Sequence, residues 1–121
     1  MSSTVSGVTF DAHDAQTTAS FWAAVLGRTV ADGASPDYAI VTADPAIPGS
    51  RIGFFRVPES KTVKNRIHPD VAPYRGEDPA AEVARLRAAG AVLADVGQGH
   101  DVSWTVLADP EGNEFCVLSP R

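Results

Sequence analysis

The side chains here whose types and spacing could do chemistry are Arg66, His68 and Asp70 in one segment, and Glu114 and Cys116 in another. Read as a strand, Arg66 to Val71 places Arg66, His68 and Asp70 on one face, because strand side chains alternate. Histidine beside a carboxylate is suited to proton transfer near neutral pH, and equally to gripping a polar ligand. In the closing strand Phe115 and Val117 point one way, and Glu114, Cys116 and Leu118 the other. A lone cysteine inside a strand reads as a small buried filler rather than a nucleophile. His13 and His100 fall in turn-like loops and are assigned no role.

Local strands, turns and helices must position these residues. Asp109-Pro110 and Gly112-Asn113 are turn dipeptides between the apolar runs Trp104–Ala108 and Phe115–Leu118, which predicts a closing β-hairpin. Val5 to Ala12 reads as a strand. Asp14 is a good N-cap for a helix with Thr18, Phe21, Trp22, Val25 and Leu26 on its apolar face, and Gly27 stops it. Aromatic residues on such a face read as core. Short strands are expected at Arg28–Ala31, Tyr38–Thr42 and Ile52–Val57. Pro69 lacks a ladder donor, so the strand at 66–71 should lie at an edge or bulge. A second helix is predicted from Asp78 and Pro79 to Gly90, with Val83 and Leu86 inward, followed by strands at Val92–Val96 and Ser103–Ala108.

Composition narrows the function classes. A chain of 121 residues supplies one domain's core. A formal charge of −5 argues against non-specific nucleic-acid binding, which needs excess Lys and Arg. No stretch approaches the roughly 20 apolar residues of a membrane span. No basic-then-apolar leader opens the chain, and a single cysteine allows no internal disulfide, so the cytoplasm is the expected location. Five of the ten positive residues, Arg51, Arg56, Lys61, Lys64 and Arg66, cluster against Glu59 alone. That segment reads as a solvated linker, or as an anchor for an anionic ligand or acidic surface.

The chain repeats itself. Helices 14–27 and 78–90 are each capped by Asp and stopped by Gly, and Gly27-Arg-Thr-Val-Ala-Asp32 recurs 63 residues later as Gly90-Ala-Val-Leu-Ala-Asp95. Each half orders strand, helix and three strands. The expected fold is α+β, one domain over 1–121 made of βαβββ repeats 5–57 and 66–118.

With Phe21-Trp22 on the first helix, Lys64-Asn65-Arg66-Ile67-His68 opening the second half, and Asp109-Pro-Glu-Gly-Asn-Glu-Phe-Cys116 closing it, the chain resembles the vicinal oxygen chelate superfamily. It is most similar to that superfamily's small glyoxalase-like domain proteins. The resemblance implies a cup of curled strands with helices outside, and a homodimer. In the superfamily's metal-dependent members, four ligands line the cup. Their positions map by motif to Gly7, Phe54, His68 and Cys116, at spacings of 47 and 48 residues. Only His68 matches in type, so no metal residues and no cofactor are expected, a divalent metal being disfavoured. The implied site is a ligand cup lined by Arg66, His68, Asp70, Glu114 and Cys116, with Phe54 and Trp104 as apolar walls. Three readings follow. The first is a small-molecule-binding protein like the bleomycin-resistance branch. The second is a lyase, isomerase or dioxygenase using an atypical metal site or metal-free proton transfer by His68. The third is a protein acting through its dimer or a partner.

Overall fold

The computed structural model describes residues 1–99 and 103–121, so His100 lies outside the described residues. It divides into two compact units, Met1–Ser60 and Lys61–Arg121.

The first unit forms around helix α1 (Ala15–Leu26) and strands β1 (Gly7–Ala12), β2 (Tyr38–Val41) and β3 (Arg51–Arg56). Asp14 caps α1 by accepting from the Thr17 backbone N–H at 3.0 Å, and that bond holds its carboxyl below the usual carboxylate range. Gly27 ends the helix at φ 63°, a conformation glycine adopts without a Cβ penalty. Between the caps Ala15, Ala19 and Ala23 are buried at four-residue spacing, with Phe21, Trp22 and Val25 filling the same face. Small residues let the helix backbone approach the sheet, while the rings supply apolar area. Phe10 on β1 packs against Trp22, with ring centroids 5.8 Å apart, and against Phe54 on β3 at 5.3 Å. The sheet order is β1-β3-β2, with β1 parallel and β2 antiparallel to β3. The strand expected at 28–31 is a single bridge, Val30 to Val41, flanked by the hydrogen bond from Ala31 N to Ile40 O. A turn at Asp32–Gly33 ends it there.

The second unit repeats this plan: β4 (Asp70–Val71), α2 (Pro79–Ala88), β5 (Val92–Leu93), β6 (Thr105–Ala108) and β7 (Glu114–Val117). Its order is β4-β7-β6-β5, with β4 parallel to β7 and the other pairs antiparallel. In both units the strand before the helix pairs in parallel with the last strand, and the preceding strand pairs on its other side. The α+β class and the two-repeat βαβββ arrangement therefore hold. Asp78 caps α2 by accepting from Ala80 N, Pro79 opens it, and Glu82 pairs with Arg85 at 2.6 Å. Leu86 is the one fully buried residue of α2, whereas Val83 is half-buried.

In the second unit three strands are shorter than the alternation predicts, for identifiable reasons. Strand 66–71 is reduced to β4 at 70–71, because the chain bends at Arg66–Ile67. Pro69 brings only its carbonyl to the ladder, accepting from Cys116 N at 3.0 Å on an edge strand. Strand 92–96 stops at Leu93: Asp95 accepts from Gly97 N and Gln98 accepts from Val96 N, which turns the chain. Strand 103–108 begins only at Thr105, after a bend at Ser103–Trp104. No helix among the described residues is long and apolar enough to cross a membrane.

Candidate functional site

The turn from β6 to β7 is organised by one carboxylate. Asp109 Oδ1 accepts from the backbone N–H groups of Glu111 and Asn113, each at 2.9 Å, and Oδ2 accepts from the Asn113 amide at 3.0 Å. Gly112 takes φ 86° and donates to Asp109 O. An Asp at this place mimics a backbone turn, which is the physical content of the Asp-Pro-Glu-Gly-Asn string. Asp109 and Asn113 are both buried, so each bond offsets a desolvation cost that an unpaired group would carry.

That turn is clamped by the polar segment preceding β4. Lys61 Nζ lies 2.7 Å from Glu114 Oε1, Asn65 N donates to Glu114 Oε2 at 3.2 Å, and Asn65 Nδ2 donates to Asn113 Oδ1 at 2.7 Å. Burial pushes the Glu114 carboxyl up, but the hydrogen bonds from Lys61 and from backbone N–H groups outweigh it and hold the group below its usual range. Both oxygens of Glu114 are thus engaged within the protein, and the residue serves the closing turn. Lys61, Asn65, Asp109 and Asn113 were not identified from sequence as a connected set. The signal was present: the two motif strings of the second half, 64–68 and 109–116, are the two segments that bond to each other.

His68, Asp70 and Cys116 do come together. Asp70 and Cys116 stand opposite in the parallel register of β4 and β7. His68 Nδ1 lies 3.2 Å from Asp70 Oδ1, with side chains 39% and 51% exposed. Ligand-capable atoms of all three lie within 4.8 Å of one another. Cys116 itself is buried. Burial pushes its thiol up, and the Asp70 carboxylate pushes it further by charge and by accepting a hydrogen bond, against a smaller opposing effect of Lys64. The thiol is therefore protonated near neutral pH and is a poor nucleophile there.

The remaining expected site residues fall elsewhere. Arg66 is exposed on the bend, so the alternation argument that put it on a strand face with His68 and Asp70 does not apply to it. Phe54 is 0% exposed within the aromatic cluster of the first unit, on the sheet face that meets α1 through Phe10 and Trp22, and it presents no wall to a ligand. Trp104 lies in the bend before β6, 39% exposed. The exposed ring pair of the first unit is instead Tyr38 with Phe55, centroids 4.7 Å apart across β2 and β3. Strand parity could have found it, since residue 55 must face opposite to residue 54.

The four positions that map to metal ligands fail a fit test. At Gly7 a Cβ would stand 2.7 Å from the Arg51 carbonyl oxygen and 3.2 Å from the Arg51 side chain, so no ligand side chain fits without backbone movement. Phe54 is apolar and fully buried. His68 and Cys116 alone do not make the usual set.

A family model described as a glyoxalase-like domain matches residues 7–118. Among solved structures, a glyoxalase/bleomycin resistance protein/dioxygenase family enzyme from Burkholderia phytofirmans matches with TM-score 0.73 at 23% identity, over 98% of this chain and 100% of that one. A fosfomycin resistance protein from Listeria monocytogenes, complexed with Mn(II) and a dihydroxypropylphosphonic acid, matches with TM-score 0.71 at 16% identity, over 100% of this chain and 93% of that one. A glyoxalase-related enzyme from Fulvimarina pelagi matches with TM-score 0.66 at 16% identity, covering 96% and 87%. No curated protein matches the chain. At these identities the solved structures speak for the fold alone.

Proposed function

We propose, on the premise that this chain belongs to the glyoxalase-like domain family of the vicinal oxygen chelate superfamily, that it binds a small molecule at the His68–Asp70–Cys116 face of the second unit without the superfamily's four-ligand metal site. The observation that carries this reading is the convergence of those three side chains, two of them open to solvent. Glu114 is committed to Lys61 and Asn65, so the polar contacts offered to a ligand are the His68 imidazole and the Asp70 carboxylate. A ligand with a hydrogen-bonding head suits them.

The test is thermal stability of the wild type, His68→Ala and Asp70→Asn against aromatic acids and peptide-like antibiotics. A ligand that binds only the native state raises stability by RT ln(1 + [L]/Kd). Stabilisation of the wild type and of neither variant supports the site. Equal stabilisation of all three overturns it.

The His68–Asp70 pair favours a second reading, metal-free proton transfer. The Asp70 carboxylate, 3.2 Å from His68 Nδ1, orients the imidazole, and a histidine held by a carboxylate is the usual equipment for proton transfer. Turnover of a carbonyl-containing substrate, lost in His68→Ala, would select it over binding alone.

The reading includes a homodimer. Strand β5 is an edge of its sheet, and Val92 and Leu93 on it are 57% and 58% exposed. Edges with exposed apolar side chains are covered or pair with another chain. Sedimentation at tens of micromolar showing only monomer would remove this part.

A further inference from the structure

We propose that His68, Asp70 and Cys116 form a three-donor site for a borderline-soft divalent cation, Zn²⁺ foremost, with its remaining position open to solvent. It rests on the reading of this cluster as the binding face and says what holds the ligand there. It is not the four-position arrangement of the superfamily: Gly7 and Phe54 cannot contribute, Asp70 lies outside that set, and all three donors belong to the second unit.

The chemistry of the donors selects the ion. A thiolate, an imidazole and a carboxylate are the donor types of zinc sites, and sites with three protein ligands keep a position for water or substrate. Magnesium and calcium, which prefer all-oxygen shells, are disfavoured by the sulfur. One thiolate and one carboxylate balance the charge of the dication with the imidazole neutral.

The geometry is close to what coordination needs. Donors bound to zinc at about 2.0–2.3 Å in a tetrahedron stand roughly 3.3–3.8 Å apart. His68 Nδ1 and Asp70 Oδ1 are already 3.2 Å apart, and the whole set lies within 4.8 Å. Two features permit the remaining adjustment. Cys116 is held by the β4–β7 register and by its N–H bond to Pro69 O, so it is a fixed anchor. His68 and Asp70 are partly exposed and can change rotamer without disturbing a core. On binding, the Cys116 thiol releases its proton to solvent as Sγ bonds the metal, so uptake is accompanied by acidification.

The experiment uses full-length protein without a histidine tag, stripped with a chelator and titrated with Zn²⁺ or Co²⁺ alone. The expected result is one equivalent bound, with a thiolate-to-cobalt charge-transfer absorption in the near ultraviolet. Cys116→Ser should abolish that band. His68→Ala, at an exposed position that does not endanger folding, should weaken Zn²⁺ binding beyond the roughly 10–100-fold typical of second-shell changes. No stoichiometric uptake, uptake without the sulfur band, or uptake unchanged in His68→Ala each overturns the site. Because no small molecule is present, failure here leaves the ligand-binding reading standing, and failure of the ligand panel leaves this one standing.

Discussion

The two units share a strand order and differ in what holds them. In the first, six-residue strands and a twelve-residue helix enclose Phe10, Trp22 and Phe54, and α1 buries seven residues. In the second, β4 and β5 are two residues long, α2 buries Leu86 alone, and a polar network runs from Lys61 and Asn65 through Glu114 and Asn113 to Asp109. The first unit is an apolar scaffold. The second also has a buried apolar core, Leu86, Val106, Leu107, Phe115 and Val117, and adds to it the side-chain hydrogen bonds; it is there that His68, Asp70 and Cys116 meet. A duplicated topology can therefore divide its labour: directional bonds fix polar side chains in a way that apolar packing does not.

That division can be broken by experiment, and the largest effect should come from the scaffold. Phe54→Ala should cost about 3–5 kcal/mol in urea unfolding, because it removes a fully buried ring that packs on Phe10. A loss below about 1 kcal/mol would mean that Phe54 is not core. Asp109→Ala should cost about 2–3 kcal/mol, since it leaves two backbone N–H groups and the Asn113 amide without the carboxylate that accepts from them. A neutral result would show that the polar network does not support the second unit.

Glu114→Gln should cost about 1–2 kcal/mol, as the Lys61 pair is well sheltered, with side chains 22% and 11% exposed. Its pH signature sharpens the comparison. The folded-state pKa of Glu114 lies below its unfolded value of about 4.3, so its contribution is fully present above that value. It is lost as pH falls through the lowered folded value. The wild type should accordingly lose part of its stability in that acid window, and the Gln variant should lose less over the same range. Coincident pH profiles would contradict the clamp. The smallest effect is expected at the exposed rings of the first unit: Phe55→Ala should change stability by under about 1 kcal/mol. A larger loss would place Phe55 in the scaffold with Phe54.

Much of the fold was legible because it is written in neighbours. Asp14 and Asp78 bond to amides three and two residues away, and Gly27 needs only its own φ. The closing turn is likewise written locally, in the bonds that Asp109 accepts from Glu111 and Asn113. The arrangement of the candidate residues is legible in part. Parity puts Arg66, His68 and Asp70 on one face and the motif puts Cys116 on another strand of the same cup, but the strand does not extend to Arg66. Phe54 was assigned to the ligand side by its place in the motif, but its ring faces the aromatic cluster.

What the sequence by itself determined are the caps, the turn, the internal repeat and hence the α+β order of elements, because each depends on contacts within a few residues. Tertiary structure alone decided the partners of the charged groups. Glu114 meets Lys61 and Asn65 across separations of 53 and 49 residues. Alternation states which residues share a face; it does not say where a strand ends or which distant side chain captures its donors. Those outcomes depend on pairings formed only when the chain has folded: the β4–β7 register sets Asp70 opposite Cys116, and the bonds from Lys61 and Asn65 make Glu114 part of the frame.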